Sequence, residues 1–173
     1  MRQKDFNAAA EVIQAGLREQ PQNLNLLLVA AGLQIQAGND ASAIAQYEAI
    51  LKDQPNSLLA INNLASLLLD HRSDKESVSR AIALSEKLKG SAVPQFEDTL
   101  GWARYKAGNV QEAVTILEAA AARSPDLAAV HYHLGMSYVA MGKPDQAKEQ
   151  FKQALSLEPE GTPLKQNIRA AIN

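Results

Sequence analysis

Two histidines one residue apart, His131 and His133, are the first pair in this sequence whose types could do chemistry. On a helix, side chains at i and i+2 point about 200° apart, so this spacing is poor for sharing a metal ion. His71 lies in DHRSD at 70–74, where Ser, His and Asp co-occur. A short polar turn is rich in these types without any catalytic role. With no cysteine in the chain, thiolate nucleophiles, disulfides and Cys-ligated zinc are excluded. Neither standard glycine-rich phosphate loop occurs, and the carboxylates are scattered as on solvated helix faces. No catalytic residue, metal site or cofactor is expected, and the chain does not read as an enzyme.

The remaining chemistry is that of contact. DTLGWARYKAGN at 98–109 holds the only tryptophan, directly after a glycine. Asp98, Trp102 and Tyr105 are spaced i, i+4, i+7, one stripe of a helix. What positions that stripe is a repeated frame. LGWARYKAGNVQEAVTILEAAAARSP at 100–125 aligns with LGMSYVAMGKPDQAKEQFKQALSLEP at 134–159, each landmark 34 residues from its counterpart. Leu100 pairs with Leu134, Gly101 with Gly135, Gly108 with Gly142, Ala113 with Ala147, Ala120 with Ala154 and Pro125 with Pro159. The same offset joins Ala9 to Ala43 and Pro21 to Pro55.

Each landmark has a physical task. Gly101 and Gly135, like Ala31 and Ala65, let two helices approach closely. Gly38, Gly108 and Gly142 can take the left-handed conformation that ends a helix. Pro21, Pro55, Pro125 and Pro159 stop a second helix, since proline donates no hydrogen bond to the preceding turn. Asn56 and Asp126, each just after its proline, are expected N-caps.

A 34-residue helix–turn–helix with these landmarks resembles the tetratricopeptide (TPR) repeat. Residues 128–160 carry it most fully, with Leu134, Gly135, Tyr138, Ala147, Phe151, Ala154 and Pro159 on the family pattern. The resemblance implies an all-α, right-handed superhelical solenoid of about ten helices. The expected organisation is a second helix of a truncated repeat at 1–23, then repeats at 24–57, 58–93, 94–127 and 128–161. A capping helix at 162–173 closes it, on the spacing of Leu164, Ile168 and Ile172. The repeat at 58–93 is irregular: its turn, HRSDKES at 71–77, reads about four residues longer than its counterparts, and KGSAVP replaces the usual close. Because 5–21 aligns with a second helix and no first helix precedes it, the chain reads as a fragment of a longer array. Val12, Ile13 and Leu17 would then be partly uncovered, with self-association through that end as a consequence.

The resemblance further implies a concave groove lined by first helices, and so a scaffold that binds a peptide or protein segment. The groove residues read from the stripes are Asn62, Ser66 and Leu69 in the second repeat. They are Asp98, Trp102, Tyr105 and Lys106 in the third, and Tyr132, Met136 and Val139 in the fourth. Trp102, Tyr105, Tyr132 and Met136 form an aromatic half, rimmed by Asp98, Asp70 and Lys106, with Trp102 expected to meet the partner. Chaperone-binding members grip a C-terminal carboxylate with several Lys, Asn and Arg residues. Here Lys106 stands alone and Asn62 and Asn63 lack basic company, so an apolar or mildly basic segment is expected.

Net charge is −2, which gives no electrostatic reason to expect nucleic acid. The longest strongly apolar run, 26–33, is too short to insert into a membrane as a spanning helix. FEDTLGWARYKAGNVQEAVTILEAA with the repeat after it also resembles the C-terminal repeats of bacterial TPR lipoproteins tied to PEP-CTERM/exosortase and exopolysaccharide loci. That likeness, carried mostly by DTLGW, implies a periplasmic or envelope-attached protein; without it the reading is cytoplasmic. Two other functions fit the same repeats: a regulatory or targeting region of a larger enzyme, or a structural spacer in exopolysaccharide export.

Overall fold

The structure, a computed structural model, describes residues 3–172, with side chains from residue 6 onward. Met1 and Arg2 of the expected segment 1–23, and Asn173 of 162–173, lie outside the described residues. Among the described residues there are ten α-helices, one short 3-10 turn and no strand. None of these helices is long and apolar enough to cross a membrane. The chain divides into two compact units, Met1–Arg72 and Ser73–Asn173.

In the first unit, α1 (Gln3–Glu19), α2 (Leu24–Gln36), α3 (Asp40–Asp53) and α4 (Leu58–His71) each pack on the next. Ala31, Ala43, Tyr47, Ile61, Leu64 and Ala65 form its core, all at most 1% exposed. The second unit holds α5 (Lys75–Ser85), α6 (Pro94–Lys106), α7 (Val110–Arg123), α8 (Ala128–Ala140), α9 (Pro144–Leu157) and α10 (Pro163–Ile172). Here α6 packs on α7 and α8 on α9 most extensively, while α6 also meets α8 and α8 meets α10. First helices of successive pairs therefore lie side by side.

The glycines explain this closeness. A Cβ built on Gly101 would lie 2.6 Å from Leu117 Cγ, and one on Gly135 would lie 2.5 Å from Phe151 Cε1. In these two hairpins a side chain at the glycine would force Leu117 or Phe151 to shift. Gly38, Gly108 and Gly142 end α2, α6 and α8 with φ of 76°, 82° and 70°. The amides of Asn39, Asn109 and Lys143 then reach back to the carbonyls of Gln34, Arg104 and Tyr138 at 2.8–2.9 Å. That is the six-to-one bond of a Schellman close.

Two local expectations are corrected. The turn at 71–77 is not four residues longer than its counterparts: three residues, 72–74, separate α4 from α5, just as 107–109 separate α6 from α7. His71 continues α4 to 14 residues, and the Asp74 side chain accepts from Ser77 N at 2.8 Å, which folds Lys75, Glu76 and Ser77 into α5. The irregularity lies at the close, as KGSAVP suggested. There α5 stops after 11 residues, runs into the 3-10 turn Glu86–Leu88, and the chain turns through Gly90 at φ 83°. Lastly, the N-caps fall one residue beyond Asn56 and Asp126. Ser57 accepts from Ala60 N, and Leu127 sits at the cap of α8 with no side-chain bond, while Asp126 accepts from Ser124 Oγ at 2.8 Å.

Candidate functional site: the α6–α8 aromatic stack

The site is built where α6 and α8 run side by side. Trp102 follows Gly101, whose lack of a side chain draws α6 onto α7 and turns the indole toward α8. Its ring lies nearly parallel to two others: Tyr105 at 4.6 Å between centroids and 9°, and His133 at 4.2 Å and 14°. Tyr132 meets the indole at a tilt of 54°, 6.2 Å away, and continues the cluster inward to Phe151 at 6.2 Å. The Lys106 ammonium sits 4.7 Å from the indole centroid. A cation over an indole face is attracted by the ring quadrupole.

This arrangement leaves Trp102 only 5% exposed. Tyr105, Tyr132 and Met136 are half-buried, Lys106 is exposed, and Val139 is 51% exposed. The accessible part of the face is therefore what lies on and around the indole, not the indole itself. Val139 also opens onto an apolar recess of about 330 Å³ with Phe151 and Ile172.

Asp98 is tied into the stack. His133 Nδ1–H donates to Asp98 Oδ1 at 2.8 Å, with the side chains 8% and 13% exposed. The other half of the H-x-H pair points elsewhere: His131 Nε2–H donates to the Pro125 carbonyl at 3.0 Å, and Nδ1 meets the Gln150 amide at 2.7 Å. One histidine thus locks α8 to α6, the other locks α8 to α9 and the preceding loop. Among the described residues no group of three His, Cys, Asp or Glu could hold a metal ion.

In the first unit the expected contact residues differ in availability. Leu69 is 1% exposed. Ser66 donates to Asp70 at 3.2 Å, and Asn62 Nδ2 donates to Asn63 Oδ1 at 3.2 Å. The residues of DHRSD serve helix ends rather than a catalytic group: His71 Nδ1 bonds Asp40 Oδ2 at 2.7 Å and Asp74 caps α5.

Two buried polar contacts of α6 and α8 were not evident from the stripes. Arg104, on the opposite side of α6, is buried and pairs with Glu86, with its Nε 3.0 Å from Glu112. Bonding to Glu86, then to Glu112, holds its guanidinium more firmly protonated than usual. Tyr138 takes the equivalent place 34 residues on and donates to Glu118 Oε1 at 2.5 Å. Burial, then the bond to the Glu118 carboxylate, pushes its phenol up to about 12.

Ten helices without a strand among the described residues, packed in successive antiparallel pairs within each unit on a 34-residue period, define the class of all-α repeat proteins. A family model for the tetratricopeptide repeat matches residues 1–71 and 104–172, and the chain belongs to that family. A TPR repeat-containing protein of Pseudomonas aeruginosa is 29% identical over 127 residues, 73% of this chain and 21% of its own. The chain thus spans about a fifth of the length of that relative. Among solved structures, a thermophilic TPR protein of Thermus thermophilus shares the fold at a TM-score of 0.74. Its identity is 20%, over 96% of this chain and 90% of that one. MamA of Desulfovibrio magneticus follows at 0.64 and 19% identity, covering 88% and 85%.

Proposed function

We propose that this chain is a non-catalytic scaffold whose α6–α8 face binds a segment of another protein. The observation that carries the reading is the layered aromatic surface. A floor of Trp102 and His133 carries Tyr105 and Tyr132, and on the same stripe of α8 Met136 and Val139 remain partly or largely exposed. Aromatic and thioether side chains already ordered by stacking lose little entropy on contact, which is how binding hot spots gain affinity.

A photo-crosslinking residue placed at 105 or 139, with the protein expressed in its own cells, tests this. A discrete partner is expected from both positions and none from 153 on α9, a surface position away from the stack. Equal labelling from all three positions sinks the reading. The likeness carried by DTLGW adds a setting, an exported and envelope-attached bacterial protein of an exopolysaccharide locus. A lipid-attachment cysteine ahead of the repeats in the parent gene, with an exosortase gene nearby, is the observation that decides it.

A further inference from the structure

The accessible charge on the α6–α8 face has one sign. Asp98 and Lys106 both belong to it, eight residues apart on α6 and so about 12 Å along the helix axis. They are not equivalent. The Asp98 side chain is 13% exposed and already accepts from His133. Lys106 is exposed, rests its ammonium on the Trp102 ring, and has no carboxylate partner among the described residues. Glu112, on the helix that follows, is engaged by Arg104. Next to Lys106, the half-buried Tyr105 is held flat by stacking, while its hydroxyl makes no hydrogen bond to a described residue.

From this we infer that the segment bound by the face carries an acidic side chain, which pairs with Lys106 and accepts from the Tyr105 hydroxyl, beside a large apolar residue seated on Tyr132 and Met136. The inference rests on the reading of this face as a binding surface. It reverses the apolar or mildly basic segment expected where Lys106 stood alone among the groove residues; the other rim charge on this face, Asp98, is engaged by His133. The ammonium seated over the indole and the hydroxyl of the neighbouring stacked ring offer two donors to a carboxylate, and the stacking of Tyr105 on Trp102 lowers the ordering cost of binding. A basic segment would meet the ammonium as a like charge, which is the selective element against it.

The test uses the intact 173-residue chain, immobilised, and a phage-displayed library of short random peptides. Clones competed off by excess free protein are sequenced and their affinities measured on Lys106→Gln, Lys106→Arg, Tyr105→Phe and, as a surface control, Lys152→Gln. The expected result is enrichment of Asp or Glu beside a large apolar residue. Binding should be about tenfold weaker on K106Q, weaker on Y105F, and retained on K106R and K152Q. Far-UV circular dichroism and thermal unfolding confirm that each variant is folded. Clones without acidic enrichment, or clones that bind K106Q as well as the parent, overturn the acidic preference and leave the binding face standing. Clones unaffected by Tyr132→Ala, or no clones at all, overturn both.

Discussion

The imidazole of His133 lies flat against the indole of Trp102, 4.2 Å between centroids and 14° from parallel, while its Nδ1–H is fixed by Asp98 at 2.8 Å. One α8 side chain therefore sets both the cover and the orientation of the only tryptophan. Replacing His133 by Ala uncovers one indole face and leaves the Asp98 carboxylate half-buried without its donor. The expected outcome is a red shift of tryptophan emission, easier quenching by acrylamide and a lower melting temperature. Asp98→Asn retains an acceptor and should shift emission far less. If His133→Ala leaves emission unchanged, the two rings are not stacked in solution.

Burial gives Trp102 the role of a support, and the consequence is separable from contact. Trp102→Phe keeps an aromatic floor and should reduce partner capture only slightly, with a modest loss of stability. Trp102→Ala removes the floor and should cost about 3–5 kcal/mol, as large-to-small changes at buried aromatic sites do. Tyr132→Ala should instead diminish capture more than stability. Equilibrium urea unfolding alongside crosslinking yield separates the two effects. A capture loss in Trp102→Phe equal to that in Tyr132→Ala would make the indole a direct contact.

Two helix-interior glycines make opposite predictions. Gly135 has Phe151 where a Cβ would go, at 2.5 Å, whereas Gly32 in α2 has nothing within 4 Å. Gly135→Ala should destabilise by about 1–3 kcal/mol through overpacking. Phe151→Leu in the same chain should recover part of that loss. Gly32→Ala should stabilise by roughly 0.5–1 kcal/mol, since it only restricts the unfolded chain. Urea midpoints measured at a constant m-value distinguish these directions.

The same contrast shows what was legible in the sequence. The ends of α2, α6 and α8 could be read because a positive φ is a local demand that Gly38, Gly108 and Gly142 alone satisfy nearby. The hairpin packing could be read because Gly101 and Gly135 recur one period apart. Trp102 was read as the groove residue that meets a partner, but it lies only 5% exposed beneath Tyr105 and His133, a cover that could not be seen. Helical spacing names a face, and it does not say whose side chains from the next helix lie over it. His133 is one position off the Tyr132–Met136–Val139 stripe, and its partner Asp98 is 35 residues away. His131 is tied to Gln150 and Pro125 in the same non-local way. In HRSDKES the composition suggested a long turn. The Asp74 cap and the His71–Asp40 bond instead shortened it by extending the helices on both sides.

Tyr138 makes the last prediction, in pH. Its phenol is buried at 5% exposure, donates to Glu118, and is pushed up to about 12, against about 10 for a free tyrosine. The native state thus favours the neutral form, and the unfolded chain ionises first. The stability this contributes is fully present below about pH 10 and is lost as pH rises toward 12. Tyr47, whose phenol is also raised by burial, falls in the same direction in the first unit. Tyr138→Phe should therefore lower the melting temperature slightly at neutral pH, through the lost bond to Glu118, and flatten its fall at high pH. Melting followed by circular dichroism from pH 8 to 12, parent beside variant, reads this directly. Parallel alkaline curves would show that Tyr138 does not set the loss.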